Sequence, residues 1–298
     1  METNNIKEDL KLFRKLSIIE LIYNEGKSCI KNKVLHKIIK QLNKDIIAVS
    51  IVLNNMHFNV YFLLFIIKLI RRKKISVSLT VNTSNINLKK LSRLKNDVSQ
   101  IRLLINEKNN TSIVDNYFGK LKTNKNDIIF LFNINSNAEN IRKYLKLLKQ
   151  NNYIFNFSVD HLLPINEYWK LSKILSQAKK EFPLKIFQDL TCAGVIYDNL
   201  KGICPVLTSM ICIGCNGEIK LCYKDKNRFN NSIFNKTLNE SFNMIIHMIS
   251  FCEYEKCKFD YNRCVCGCPL TFENNCNKYC FSNLKGGVKP NEKAYFKS

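Results

Sequence analysis

The chain has 298 residues, 46% of them hydrophobic and 11% aromatic, which is enough apolar material for a packed core and excludes wholesale disorder. Its 47 Lys and Arg against 24 Asp and Glu leave a formal charge of +23. That balance favours an anionic partner, yet the basic residues are scattered along a chain rich in Lys, Asn and Ile, so nucleic acid is not the expected partner. The longest apolar run, residues 60–67, stops at Lys68, and the opening residues lack a secretory pattern. A cytoplasmic protein with no membrane segment is expected.

Taken in chain order, residues 1–44 read as a basic, helix-leaning lead-in around SIIELIY (17–23). Between 45 and 187, strand-like and helix-like segments alternate. DIIAVSIVL (45–53) reads as a strand, residues 57–74 as a helix, ISVSLTV (75–81) as a strand and residues 87–97 as a helix. VSQIRLLI (98–105), DIIFLFNI (127–134) and YIFNFSV (153–159) are further strands, with helical segments at 138–150 and 167–182. Such alternation predicts βαβ units on a parallel sheet, open or closed into a partial barrel. Glycine is nearly absent from this zone, so no glycine-rich loop is present to cradle a nucleotide phosphate. The basic run at 71–74 reads as a solvated helix end, favourable to the dipole.

Residues 188–298 differ in kind: they hold twelve of the thirteen cysteines, five of them in the stretch CEYEKCKFDYNRCVCGC (252–268). In CNGEIKLCYK (215–224), Asn-Gly between β-prone segments signals a hairpin. This zone reads as a small module with a core too thin to hold without cross-links. Three chemistries compete for its thiols. Disulfides are disfavoured by the odd cysteine count and the missing signal peptide. Zinc is open to Cys212-x2-Cys215 with Cys222, but no second C-x2-C follows. Iron–sulfur ligation suits crowded soft thiolates at irregular spacing.

The frame Cys204, twelve residues, Gly217, four residues, Cys222, then Cys252, Cys257 and Cys264-x3-Cys268, resembles the SPASM domain. That domain ends many radical S-adenosylmethionine enzymes that mature peptides, and binds one or two auxiliary [4Fe–4S] clusters. The segment RFNNSIFNKTLNESF (228–242) is similar to the linker between its two halves, while the Cys252–Cys257 and Cys257–Cys264 gaps are longer than the pattern. The resemblance implies one cluster on Cys204, Cys222, Cys268 and Cys192, with Cys212 and Cys215 as rivals for the last place. It implies a second on Cys252, Cys257, Cys264 and Cys280, the last preferred to Cys276.

The same resemblance asks for C-x3-C-x2-C after the first strand, to hold the cluster that binds S-adenosylmethionine. Residues 1–191 contain one cysteine, Cys29, and the matching positions are Lys33 and His36. The glycine-rich end of the next strand is replaced by LNNMHF (53–58). No residues for binding S-adenosylmethionine are therefore assigned. This combination resembles the grasp-with-spasm peptide maturases, which pair with an ATP-grasp ligase. The expected fold is a shortened, degenerate radical-SAM-like βα partial barrel (45–187) joined to a SPASM module (188–298). The expected function is that of a maturase or accessory protein in ribosomal peptide modification, with a precursor peptide as partner and no cleavage of S-adenosylmethionine by this chain alone. The alternative is a zinc-stabilised nucleic-acid-binding or regulatory protein. Asp160 and His161, after the strand at 153–159, are a candidate peptide-contacting pair.

Overall fold

The computed structural model describes residues 15–25, 27–55, 58–82, 87–106, 128–134, 154–159, 186–188, 209–223, 231–249, 272–273 and 276–277. In chain order the elements are β1 (Ile18–Glu25), β2 (Ser28–Cys29), α1 (Asn32–Gln41), β3 (Ala48–Leu53), α2 (Val60–Arg71), β4 (Ser76–Asn82), α3 (Leu88–Leu94) and β5 (Gln100–Asn106). Then follow β6 (Ile128–Ile134), β7 (Ile154–Val159), β8 (Ile186–Gln188), β9 (Met210–Ile213), β10 (Ile219–Lys220), α4 (Leu238–Ile249), β11 (Phe272–Glu273) and β12 (Cys276–Asn277). The strands expected from residue 45 onward are all present. The lead-in at 17–23 is a strand rather than helical, because its apolar residues face both sides of a sheet. The helical segments expected at 138–150 and 167–182 lie outside the described residues, as do most residues of the cysteine-rich zone.

Two compact units divide the chain: Met1–Leu131 with Pro205–His247, and Phe132–Cys204 with Met248–Ser298. β9 pairs in parallel with β1, which draws the Asn-Gly hairpin into the first unit. The strand order there is β10-β9-β1-β3-β4-β5, with β2 antiparallel on β1. The pairs β1–β3, β3–β4 and β4–β5 are all parallel, and β10 returns antiparallel on β9. In the second unit β7 and β8 are parallel, and β11 and β12 antiparallel.

Register sorts the side chains of the first unit into two faces. Ile213, Leu21, Ile51, Leu79 and Ile101 line up across five strands, and none is more than 2% exposed. Each such side chain stabilises the fold by about 1.5–3 kcal/mol relative to exposure. Helix α1 buries Val34, Leu35 and Ile38, and α2 buries Leu63, Ile66, Ile67 and Ile70. Tyr23, on the same strand face as Leu21, meets Phe58 edge-on and Phe62 at ring separations of 6.4 Å. The first turns of two helices are capped by asparagine: Asn59 accepts from the Tyr61 and Phe62 amides, and Asn87 from that of Lys90. Helix α4 opens on a reciprocal capping box, in which the Thr237 N–H donates to Glu240 at 2.6 Å and the Glu240 N–H donates to the Thr237 hydroxyl at 3.2 Å.

The other face of the sheet carries a polar row beside the apolar pair Ile22 and Val52. The row one step along reads Lys220, Cys212, Glu20, Ser50, Ser78 and Gln100. Parallel strands buried on both sides are ordinarily apolar throughout. A polar row in which Glu20 and Ser50 are only 5% and 6% exposed marks the face on which a site is built. Among the described residues, no helix is long and apolar enough to cross a membrane.

Candidate functional site

The site grows from β1 and the β9–β10 hairpin. Glu20 stands mid-strand between Cys212 on one side and Ser50 on the other. Its carboxylate accepts the Tyr223 N–H at 2.7 Å and a hydrogen bond from the Cys212 thiol. Tyr223 packs over Ile22, Val52 and Cys212, so the chain leaving β10 closes over this face. Burial pushes the Cys212 thiol well above its ordinary range, and the charges of Glu20 and Cys222 push it further. Cys222 is buried beside it, at the end of the hairpin. The Ser50 hydroxyl, buried in the same row, has no hydrogen-bond partner.

A second cluster forms where the hairpin turns. Gly217 takes φ +94°, the left-handed conformation that an Asn-Gly turn needs. A Cβ at Gly214 would collide with the Glu218 side chain, so only glycine lets that carboxylate fold back over the turn. Glu218 accepts the Asn216 N–H at 3.0 Å. Lys220, whose side chain is 1% exposed, donates to Glu25 at 2.8 Å and lies 3.7 Å from Glu218. Burial alone would lower its pKa, but the hydrogen bond and charge of Glu25, with the charge of Glu218, raise it on balance. The ligand atoms of Glu25, Cys215 and Glu218 all lie within 4.8 Å of one another, which among the described residues is the one convergent set of this kind. The Cys215 thiol is pushed up by burial and then by Glu218 and Glu25. Three donors of mixed hardness could hold a divalent cation, but Lys220 already supplies positive charge to both carboxylates.

Cys222 is the one expected cluster ligand among the described residues. Cys192, Cys204, Cys252, Cys257, Cys264, Cys268 and Cys280 lie outside them, as do Asp160 and His161. Cys212 and Cys215 are buried with Cys222 in one hairpin. Glu20, Glu25, Glu218, Lys220 and Tyr223 were not among the expected site residues. The available signal was charge out of place: one acid inside IIELIY and one lysine between Ile219 and Leu221.

For a cluster that would bind S-adenosylmethionine, the residues do not fit. Cys29 is exposed on β2, opposite Asn24. Lys33 and His36 are exposed on α1, and the Lys33 ammonium lies over the Phe234 ring at 5.1 Å. The loop after β3, where the glycine-rich turn would stand, is closed on the protein itself. Asn24 accepts the Asn54 and Asn55 N–H groups and donates to Asn55 at both its backbone and side-chain oxygens. For an auxiliary cluster the donor chemistry fits in part. Three buried thiols lie on one hairpin, and bound iron would offset the burial and the nearby carboxylates that raise the pKa of two of them.

The class of protein these features define is a mixed α/β fold built on a parallel sheet. No family model matches the chain, and no curated protein matches it. Among solved structures it is similar to SuiB of Streptococcus suis. The match to SuiB bound to S-adenosylmethionine has a TM-score of 0.60 and 13% identity, over 89% of this chain and 77% of that one. The match to SuiB bound to precursor peptide SuiA has the same score and identity, over 88% and 74%. At such identity the likeness establishes the fold.

Proposed function

We propose that this chain is a cytoplasmic peptide-maturation protein of radical-SAM-like fold, which engages a precursor peptide and does not cleave S-adenosylmethionine by itself. The observation that carries the reading is the likeness to peptide-bound SuiB over 88% of the chain. The hydrogen bonds that tie Asn54 and Asn55 to Asn24, and the presence of one cysteine in residues 1–191, support the loss of cleavage. In this reading Cys204, Cys222, Cys268 and Cys192 hold one auxiliary [4Fe–4S] cluster, and Cys252, Cys257, Cys264 and Cys280 a second. The burial of Cys212 beside Cys222 supports Cys212 as the rival of Cys192. An ATP-grasp ligase is the proposed companion for peptide chemistry that this chain lacks.

Anaerobic purification tests the reading. Protein with brown absorbance, about four to eight irons and matching sulfide, but no 5′-deoxyadenosine formed from S-adenosylmethionine under dithionite, is the expected result. Formation of 5′-deoxyadenosine overturns the loss of cleavage. Colourless protein containing only zinc overturns the cluster assignment in favour of a zinc-stabilised binding protein.

A further inference from the structure

Helix α2 carries an unusual outward face. Its inward side chains pack on the sheet, yet Tyr61 and Phe65, one turn apart, are 74% and 54% exposed. Lys68 and Arg72 continue the same stripe at helical spacing, and both are exposed. Residues 60–67 contain no charge at all, while residues 68–74 contain five basic residues and no acid. The stripe is therefore divided along its length, apolar in its first two turns and cationic after them. The midpoints of the two halves are seven residues apart, or about 10 Å along the axis.

Among the described residues the cations of this stripe are not matched by acids. Across residues 58–99 there are nine Lys and Arg and a single acid, Asp97. Asp97 is taken by Arg71, whose guanidinium lies 3.9 Å from its carboxylate and donates to its backbone oxygen at 3.2 Å. Lys73 donates to the Leu42 carbonyl at 2.8 Å. Lys68, Arg72 and Lys74 have no carboxylate partner among the described residues, and exposed Lys89 and Arg93 of α3 extend the same sign of charge.

We propose that the outward face of α2 is a docking site for an acidic amphipathic segment of a partner peptide or protein. Apolar side chains of that segment cover Tyr61 and Phe65, and carboxylates about 10 Å further on meet Lys68 and Arg72. The charge pattern selects this occupant. A second copy would set two basic stripes against each other in a chain of net charge +23. Nucleic acid and anionic lipid present uniform negative charge, which asks for cations beside the aromatic rings. The first two turns have none, and Lys90 of α3 is held over the Phe58 ring at 5.0 Å and on its carbonyl at 3.1 Å. This assignment stands on α2 alone and is independent of cluster content.

The test uses the full chain and a labelled synthetic helix-forming peptide of about sixteen residues, with Leu and Phe one turn apart followed after two turns by paired Glu. Controls are the same composition scrambled, an oligo-dT of equal length, and phosphatidylserine vesicles. Micromolar binding of the ordered peptide is expected, at least tenfold tighter than the scrambled one. Tyr61→Ser with Phe65→Ser should weaken it at least tenfold with the circular dichroism spectrum unchanged. Lys68→Glu with Arg72→Glu should do the same and be rescued by a peptide in which Lys replaces Glu, a reversal that loss of fold could not produce. Equal binding of the scrambled peptide, failure of the charge-reversed rescue, or preference for oligo-dT or vesicles overturns the proposal.

Discussion

The ion cluster under the hairpin predicts an asymmetry. Lys220 and Glu25 share a 2.8 Å hydrogen bond, but their side chains are 1% and 46% exposed. Glu25→Gln strands a buried ammonium whose remaining partner, Glu218, is 3.7 Å away. Breaking a buried pair in this sense costs about 3–5 kcal/mol, and the retained Glu218 places this variant near 3. Lys220→Met removes the buried charge and keeps most of the apolar stem. Glu25 then regains water, and the half-exposed side of the pair contributes little, so the loss is about 1–2 kcal/mol. The double variant should be no worse than Glu25→Gln alone. The pH dependence separates the cases. In the native chain the Lys220 pKa is raised, so its contribution is complete below about pH 10.4 and is lost as pH rises through the higher folded value. Without Glu25, burial is opposed by the more distant Glu218, so that pKa should fall below the ordinary lysine value and the variant should become relatively more stable as pH rises towards 10. Urea unfolding followed by circular dichroism at pH 7 and 9.5 measures both effects. If Lys220→Met costs as much as Glu25→Gln, or if the gap between Glu25→Gln and the native chain does not narrow with pH, the reasoning fails.

Three other outcomes are expected. Gly217→Ala should cost about 1–3 kcal/mol in thermal unfolding, because it combines a left-handed φ of +94° with a Cβ only 2.9 Å from the Phe234 ring. Asn216→Ala, one residue away, should cost much less. Thr237→Ala removes the acceptor for the Glu240 N–H and should cost about 1 kcal/mol. Hydrogen bonds from Thr237 hold the Glu240 pKa below its ordinary value, so their contribution is present above about pH 4.3 and lost on acidification. Carboxyl NMR titration should show that pKa below the usual glutamate range in the native chain and rising towards it in Thr237→Ala. Asn24→Ala removes the acceptor of the Asn54 and Asn55 amides at a fully buried position. It should cost about 2–4 kcal/mol, and amide exchange at residues 54 and 55 should accelerate.

Much of the sheet was legible because Ile, Val and Leu runs at 45–53, 75–81 and 98–105 have no competing period. The lead-in was harder, since a run as short as IIELIY fits a buried helix face as well as a strand. What decides it is pairing on both sides, with β3 and with β9, the latter nearly two hundred residues away in sequence. The hairpin itself was signalled by Asn216-Gly217, but its parallel attachment to β1 has no local signature. The site follows the same division. Spacing drew attention to the cysteines one by one and left Cys212 and Cys215 as rivals for one ligand place or as zinc ligands with Cys222. Register brings Cys212 against Glu20 and Lys220, and the turn brings Cys215 against Glu25 and Glu218.

Those juxtapositions also explain the lone charges in apolar strands. Glu20 would be an expensive burial by itself. It is held by the backbone N–H of Tyr223 and by the Cys212 thiol, both supplied by the hairpin. Lys220 in turn is held by Glu25 from β1. Each element carries a charge whose shortest hydrogen bond comes from the other, so docking in one register keeps these buried ions paired. Slipping the hairpin by one residue would place Cys212 opposite Ile19 or Leu21 and turn Cys212 and Lys220 towards the apolar face, away from Glu20. The polar row thus specifies how the cysteine-bearing hairpin seats on the sheet. It thereby fixes where Cys212, Cys215 and Cys222 stand.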